Sequence, residues 1–177
     1  MNDRPLPLQV YLDTSIIFAA MFRESENWAA GSAFCRRLVE EGCQVYFSQI
    51  VRLELSEAIR KLATIPGRTP YELGRQFQLD QWEQSIFIRR RWFQFGVEEF
   101  ELLLARFAQV NELPFDQAIW LKSITVMTDE RLRSHDAIHV ATAREYRVPC
   151  IATTDDHFLR ITDPAVRLLR DDPSARN

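Results

Sequence analysis

The stretch VPCIATTD, residues 148–155, is the clearest strand in the sequence, a short apolar run that closes on Asp155. Two similar runs, LQVYLD (8–13) and QVYFS (44–48), also predict buried strands. The segments VNELPF (110–115) and VRLLR (166–170) are weaker candidates, the last for an edge strand. Because predicted helices separate these strands, the pattern favours an α/β fold whose parallel sheet is covered on both faces.

The helical segments between the strands begin and end at recognisable capping residues. Thr69 with Glu72 three residues later, and Pro70 between them, forms a capping box that begins the longest helix. Glycine ends a helix readily because it adopts the left-handed conformation without strain. The predicted helices are 25–41 ended by Gly42, 48–62, 69–95 ended by Gly96, 97–109, and two that follow the N-caps Asp116 and Ser134.

Length and composition indicate one globular domain spanning residues 1–177. The chain is 46% hydrophobic and 27% charged, with a net charge of −3, so a nucleic-acid contact would need a local basic patch. Three cysteines without C-x-x-C spacing argue against a disulfide framework and against a zinc site. No apolar run reaches about 18 residues and the N-terminus lacks a signal-peptide core, so we expect a cytoplasmic protein without a membrane span.

Acidic residues are predicted to gather at the carboxyl edge of the sheet, where ligands bind in such folds. Asp13 ends the first strand, and Asp155 ends the stretch VPCIATTD. Glu54 follows the second strand closely and interrupts the apolar stripe of its helix, whereas Glu57 faces outward. Asp136 lies in the first turn of a helix, which the strand rule alone does not place at this edge. Asp13, Asp136 and Asp155 also have structural explanations, as a turn residue, a cap or a partner of the helix dipole. Glu54 is harder to explain in this way, because burying an unpaired carboxylate is costly.

Carboxylates crowded at one edge would raise each other's pKa values unless a cation neutralised them. Because all these ligands are oxygen atoms, the cation should be Mg²⁺ or Mn²⁺ rather than Zn²⁺. Such a site binds phosphate oxygens and activates water.

Four short motifs that contain these acids resemble, in order and spacing, those of PIN-domain nucleases, particularly the VapC-like toxins of type II toxin–antitoxin pairs. The resemblance runs from residue 8 to about residue 170. The motifs are YLDTSII with Asp13 and Ser15, SQIVRLELSEAI with Glu54, RSHDAIHVATA with Asp136, and ATTDDHF with Thr154, Asp155 and Phe158.

The resemblance implies a three-layer α/β/α fold and an acidic site that binds one or two Mg²⁺ or Mn²⁺ ions. It also implies that Asp136 belongs to this site. A further implication is endoribonuclease activity with metal-activated water. Our hypothesis for the mechanism is that Glu54 or Asp155 orients this water. Thr14, Ser15 and Thr154 would hydrogen-bond the carboxylates or a scissile phosphate oxygen. RNA is the implied substrate, and an antitoxin protein and a second copy of the chain are the implied partners.

Residues 66–100 depart from the resemblance, because minimal relatives lack this length of chain. We expect an extended helical insertion here, with more aromatic residues than one buried stripe can absorb. The exposed ones would form a partner surface, and Arg89, Arg90 and Arg91 would contact RNA phosphate or an acidic antitoxin segment. The alternative is an extended core helix with a solvated basic turn. The aromatic residues concerned are Phe77, Trp82, Phe87, Trp92, Phe93 and Phe95.

Other classes of function fit less well. Haloacid-dehalogenase phosphatases need D-x-D, but Ser15 stands two residues after Asp13, and receiver domains need a late lysine, but none follows Lys122. His135 and His139, spaced i and i+4, could hold a metal, although no third ligand is evident. A catalytically silent PIN-like module that binds RNA or protein is the alternative that remains.

Overall fold

The structure, a computed structural model, describes residues 6–23, 25–63, 81–162 and 167–169, with only the backbone of 62, 63, 81–85, 87–89, 92 and 167. The chain divides into two compact units, one formed by Met1–Val51 with Leu103–Asn177 and the other by Arg52–Leu102. The single domain over 1–177 stays a prediction.

The first unit is built on a sheet of five parallel strands in the order β3-β2-β1-β4-β5. In the register of the central pairs, Val10 lies beside Val45 and Leu12 beside Ala152. The predicted parallel sheet is therefore confirmed. The strands are β1 (Gln9–Leu12), β2 (Gln44–Ser48), β3 (Val110–Leu113), β4 (Cys150–Ala152) and β5 (Arg167–Leu169).

Six α-helices and one short 3₁₀ helix occur in the part of the chain that the structure describes. Asp116 caps α5 through a 2.9 Å hydrogen bond from the Ile119 N–H, as its position predicted. None of the described helices is long and apolar enough to cross a membrane. The helices are α1 (Thr14–Met21), α2 (Trp28–Glu40), α3 (Ile50–Ala63), α4 (Gln81–Leu104), α5 (Gln117–Glu130), α6 (Ser134–Glu145) and the 3₁₀ helix Asp156–Arg160.

Helices cover both faces of the sheet, as the burial of its central strand requires. Val10, Tyr11 and Leu12 of β1 are consecutive and all fully buried, although they point alternately to the two faces. Tyr11 and Ile151 join an apolar cluster that includes Ile119 of α5 and Val140 of α6. This is the predicted three-layer α/β/α arrangement.

The described helices differ from the sequence-based expectation at one unpredicted helix and at two boundaries. Helix α1 was not predicted, because its sequence TSIIFAAM is apolar on every side and shows no amphipathic stripe. Gly96 does not end a helix, since α4 runs through it to Leu104 and the predicted separate helix over 97–109 does not exist. Ser134 is the first residue of α6 and Arg133 is its N-cap, a shift of one position. The capping box at Thr69 lies outside the described residues.

The order of the strands places a topological switch point between β1 and β4. From β1 the chain adds β2 and then β3 on one side, and it later returns to add β4 and β5 on the other side. In an open parallel sheet, the crevice for a ligand lies at the carboxyl ends of the two strands on either side of this reversal. Those ends are followed by Asp13 and by residues 153–155.

Candidate functional site

Asp13 is a buried carboxylate at the carboxyl end of β1, with only 5% of its surface exposed. Its backbone N–H donates to Ala152 O at 3.0 Å, so the chain is still paired with β4 at this point. Its side chain caps α1 by accepting from the Ser15 N–H at 3.3 Å. The cap and the strand therefore fix the carboxylate at the switch point.

Hydroxyl groups hold one oxygen of this carboxylate from two sides. Ser15 Oγ donates to Asp13 Oδ2 at 2.6 Å, and Thr153 Oγ1 donates to the same oxygen at 2.8 Å. The backbone N–H of Thr154 donates to Ser15 Oγ at 2.9 Å, and that of Asp155 donates to Thr153 Oγ1 at 3.0 Å. The loop after β4 is thereby tied to the start of α1.

The other oxygen of Asp13 faces a buried histidine. His139 Nε2 lies 3.3 Å from Asp13 Oδ1, and His139 Nδ1 is 2.8 Å from the Tyr11 hydroxyl. The imidazole is 1% exposed and meets the Tyr11 ring edge-on. His135, one turn earlier on α6, is exposed, so the two histidines lie in different surroundings.

Asp155 begins the 3₁₀ helix that follows β4. Its Oδ1 accepts from the His157 backbone N–H at 2.8 Å and lies 2.7 Å from His157 Nδ1. Possible ligand atoms of Asp136, Asp155 and His157 all lie within 4.8 Å of one another. Asp136, the third residue of α6, is therefore brought to the same site.

Asp136 is the electrostatically strained member of this group. Burial is the largest cause that raises its pKa above the ordinary value, and the charges of Asp155 and Asp13 raise it further, against the opposing effect of His139 and His157. Its Oδ2 is buried and has no hydrogen-bond partner among the described residues. A buried carboxylate oxygen without a donor is costly in an apo protein but suits a cation ligand.

The donor set fits a hard divalent cation. Asp136 and Asp155 offer carboxylate oxygens close to one another, and Asp13 is near enough to raise the pKa of Asp136. Asp136 Oδ2, which has no hydrogen-bond partner among the described residues, suits a ligand to the cation. Crowded carboxylates that repel each other gain most from a bound positive charge. His157 adds one nitrogen donor, which Mn²⁺ accepts more readily than Mg²⁺ does.

Two further predicted site residues lie on the helices α3 and α1. Glu54 is half-buried on α3, whereas Glu57 is exposed and pairs with Arg60, as the helical stripe indicated. The role of Glu54 as a fourth ligand stays a prediction. Thr14 is half-buried at the start of α1.

The predicted partner surface lies on the second unit. Arg90 and Arg91 are exposed on α4, and Phe95 on the same helix is 42% exposed. The side chains of Arg89, Trp82, Phe87 and Trp92, and the whole of Phe77, lie outside the described residues. The contacts predicted for this surface are not tested.

Sequence reasoning missed residues that reach the acids from neighbouring positions. Thr153 rather than Thr154 supplies the hydroxyl to Asp13, and the TT dipeptide gives no signal to choose between them. Tyr11 was not singled out from the sequence, and His139 was considered only as a possible metal-binding partner of His135. Only their pairing across β1 and α6, which sequence does not show, relates them to the site.

Together, the fold and the site define a three-layer α/β protein with clustered carboxylates at its switch point. Residues 10–164 match the model of the PIN domain family, and the chain belongs to that family. No curated protein sequence matches the chain significantly.

Several solved structures are similar in fold, including one from Pyrobaculum aerophilum and one from Mycobacterium tuberculosis. PAE2754 from Pyrobaculum aerophilum has a TM-score of 0.54 and 17% identity, with 90% of this chain and 83% of that chain covered. VapBC-5 from Mycobacterium tuberculosis, a member of the VapBC family of toxin–antitoxin systems, has a TM-score of 0.51 and 17% identity. There the match covers 93% of this chain and 99% of that chain.

Proposed function

We propose that this protein is a Mg²⁺- or Mn²⁺-dependent endoribonuclease that acts as the toxin of a toxin–antitoxin pair. The observation that carries the proposal is the convergence of Asp136, Asp155 and His157, whose possible ligand atoms lie within 4.8 Å of one another. The charge of Asp13 reaches this group and helps to raise the pKa of Asp136, and a buried Asp136 oxygen lacks a hydrogen-bond partner among the described residues. Membership of the PIN domain family supports a nuclease, and the fold of VapBC-5 supports the toxin role.

Each residue has a defined task in this proposal. Asp13, Asp136 and Asp155 hold the cation, and Glu54 is the proposed fourth ligand. A bound cation would lower the pKa of a water and stabilise charge on the attacked phosphoryl group. Glu54 or Asp155 orients the attacking water. Ser15 and Thr153 keep Asp13 Oδ2 in place, so the carboxylate does not reorganise during the reaction.

The proposed partners are those expected of a toxin of the PIN domain family. RNA is the substrate, an antitoxin is the inhibitor, and the chain forms a homodimer in the cytoplasm. Arg90 and Arg91 are exposed and so remain available for phosphate or an acidic antitoxin segment.

Metal binding is the first test, because it does not depend on knowing the RNA. Mn²⁺ should raise the melting temperature of the wild type, since it binds only the folded state. Asp13→Asn should abolish this rise, whereas Asp129→Asn, an exposed acid on α5, should retain it. If millimolar metal leaves the melting temperature of the wild type unchanged, the catalytically silent RNA- or protein-binding module is favoured instead.

Cleavage is the second test. Wild-type protein with Mn²⁺ should fragment total cellular RNA, and Asp136→Ala should fold but leave the RNA intact. Expression of the chain should stop growth, and co-expression of the protein encoded beside it should restore growth. Wild-type-like cleavage by Asp136→Ala would contradict the assignment of the site.

A further inference from the structure

A buried chain of polar groups leads from the interior of the first unit to Asp13. The hydroxyl of Tyr11 is 2.8 Å from His139 Nδ1, and His139 Nε2 is 3.3 Å from Asp13 Oδ1. Tyr11 is fully buried, His139 is 1% exposed and Asp13 is 5% exposed. Packing alone does not require this arrangement, because apolar residues fill such a layer without the cost of desolvating polar groups.

The chemistry of the three groups assigns a proton to each contact. An ionised carboxylate can only accept, so the ring nitrogen that faces Asp13 must carry a hydrogen. When the imidazole is neutral, Nδ1 has a lone pair and accepts from the Tyr11 hydroxyl. Tyr11 therefore favours the tautomer whose N–H faces the carboxylate.

We propose that His139 is a positioning residue that orients Asp13 for metal binding, and that Tyr11 sets its tautomer. The inference rests on the proposed function, because Asp13 is taken as a ligand. Ser15 and Thr153 hold Oδ2 while His139 restrains Oδ1, so both carboxylate oxygens have fixed neighbours. Partners of this kind orient metal-binding side chains, and their loss typically weakens metal affinity by about 10- to 100-fold.

Tyr11→Phe tests the idea with the loss of one oxygen atom. Without the hydroxyl, the tautomer with its hydrogen on Nδ1 becomes accessible, and its Nε2 lone pair repels Asp13. We expect the Mn²⁺ dissociation constant, measured by isothermal titration calorimetry well below the melting temperature, to rise about 10-fold.

Tyr46→Phe is the matched control. Tyr46 lies beside Tyr11 in the register of β1 and β2, and its hydroxyl is likewise hydrogen-bonded, donating to Gln44 at 3.0 Å and accepting from Gln9 at 3.1 Å. Its hydroxyl partners among the described residues are these two glutamines and not the site acids. Its removal should leave the Mn²⁺ affinity unchanged.

A double-mutant cycle separates a tautomer effect from a loss of packing. His139→Gln keeps an N–H donor but has no tautomers, so it should retain most of the Mn²⁺ affinity. Tyr11→Phe added to His139→Gln should then cause no further loss. A purely structural role for Tyr11 would instead weaken Mn²⁺ binding equally in both backgrounds.

Several results would overturn the inference. Tyr11→Phe with wild-type affinity would do so, as would equal losses from Tyr11→Phe in the two backgrounds. His139→Gln that abolishes binding while Tyr11→Phe does not would make His139 a ligand. If the wild type binds no Mn²⁺, both the proposed function and this inference are wrong. If the wild type binds Mn²⁺ and Tyr11→Phe binds it equally well, only the inference is wrong.

Discussion

Asp136 and Asp13 show two ways in which a folded chain holds a carboxylate. Asp13 has hydroxyl and backbone donors on Oδ2, so its position is stabilised by the protein itself. Asp136 Oδ2 is buried without such a partner among the described residues, and its pKa is raised. The apo protein therefore carries an unfavourable contribution from Asp136, as is common at functional sites.

Asp136→Asn should stabilise the metal-free protein at neutral pH. The substitution removes a charge that is desolvated and repelled by Asp155 and Asp13. We expect the free energy of unfolding in urea to increase by roughly 0.5–2 kcal/mol, the range typical of stabilising substitutions. Asp129→Asn, on an exposed residue, should change it little. A less stable Asp136→Asn would mean that Asp136 supports the apo fold.

The pH dependence of this gain has a definite sign. A folded-state pKa above the unfolded value means that the folded protein binds more protons between the two, so stability falls as pH rises through that window. The advantage of Asp136→Asn over the wild type should therefore be small below the ordinary Asp pKa. It should grow as pH rises towards the raised folded-state pKa and then level off. The difference in free energy of unfolding between Asp136→Asn and the wild type is measured by urea unfolding at a series of pH values without metal.

At the scale of elements, α1 and α2 are held together by a close approach at Gly31. A Cβ built on Gly31 would lie 2.7 Å from Ala19 Cβ and 3.0 Å from the backbone nitrogen of Ala20. Because these are backbone and methyl atoms of a buried helix, they cannot rotate away.

Gly31→Ala should therefore destabilise the protein despite the higher helix propensity of alanine. The two helices must move apart, and overpacking of this kind costs about 1–3 kcal/mol. Ser32→Ala, the next residue on α2 and only half-buried, is the control with the same introduced side chain. Urea unfolding compares the two variants. Equal stability of Gly31→Ala and wild type would show that the helix pair tolerates a wider spacing.

A buried carboxylate also joins α5, α6 and the segment after the 3₁₀ helix. Glu130 at the end of α5 accepts from Arg144 of α6 at 3.0 Å and from the Thr162 N–H and hydroxyl at 3.0 and 3.1 Å. Burial acts to raise its pKa, but the Arg144 and Thr162 hydrogen bonds outweigh it and lower the pKa. Its ionised form therefore stabilises the fold.

Glu130→Gln should cost about 1–3 kcal/mol at pH 7, because it weakens hydrogen bonds to a charged group. Glu145→Gln is the matched control, since Glu145 pairs with Lys122 on the exposed face of the same two helices and should contribute under about 1 kcal/mol. A lowered pKa means that the wild-type advantage is lost as pH falls through the folded-state value. A constant difference down to acid pH would contradict this role.

For the whole molecule, sequence pattern predicted the strands well because apolar runs between turn residues have few alternatives. Alternation of strands and helices was enough to predict the parallel sheet. Helix α1 was not predicted because its uniformly apolar sequence shows no helical period. The helix end predicted at Gly96 was wrong because Gly96 packs against Ile59 within a helix. Local rules could not place Asp136 or pair His139 with Asp13, since both depend on how α6 meets the sheet.

Protons and the metal ion should compete for the site, and the melting temperature of the protein should reflect this competition. At a Mn²⁺ concentration 100 times the dissociation constant, binding stabilises the folded state by about 2.7 kcal/mol. For a chain of this length, that corresponds to a rise in melting temperature of roughly 5–11 °C. Because the raised pKa of Asp136 lets a proton displace the metal at higher pH than usual, the rise should shrink as pH is lowered through that pKa.

Differential scanning calorimetry with and without Mn²⁺ across a pH series measures this coupling. Asp136→Asn should show little metal-induced rise at any pH, while Asp129→Asn should follow the wild type. The same series also reports on Glu54, since Glu54→Gln should reduce the rise if Glu54 is a ligand. A wild-type rise that stays constant as pH falls would show that Asp136 does not bind the metal, and the site would then have to be assigned without it.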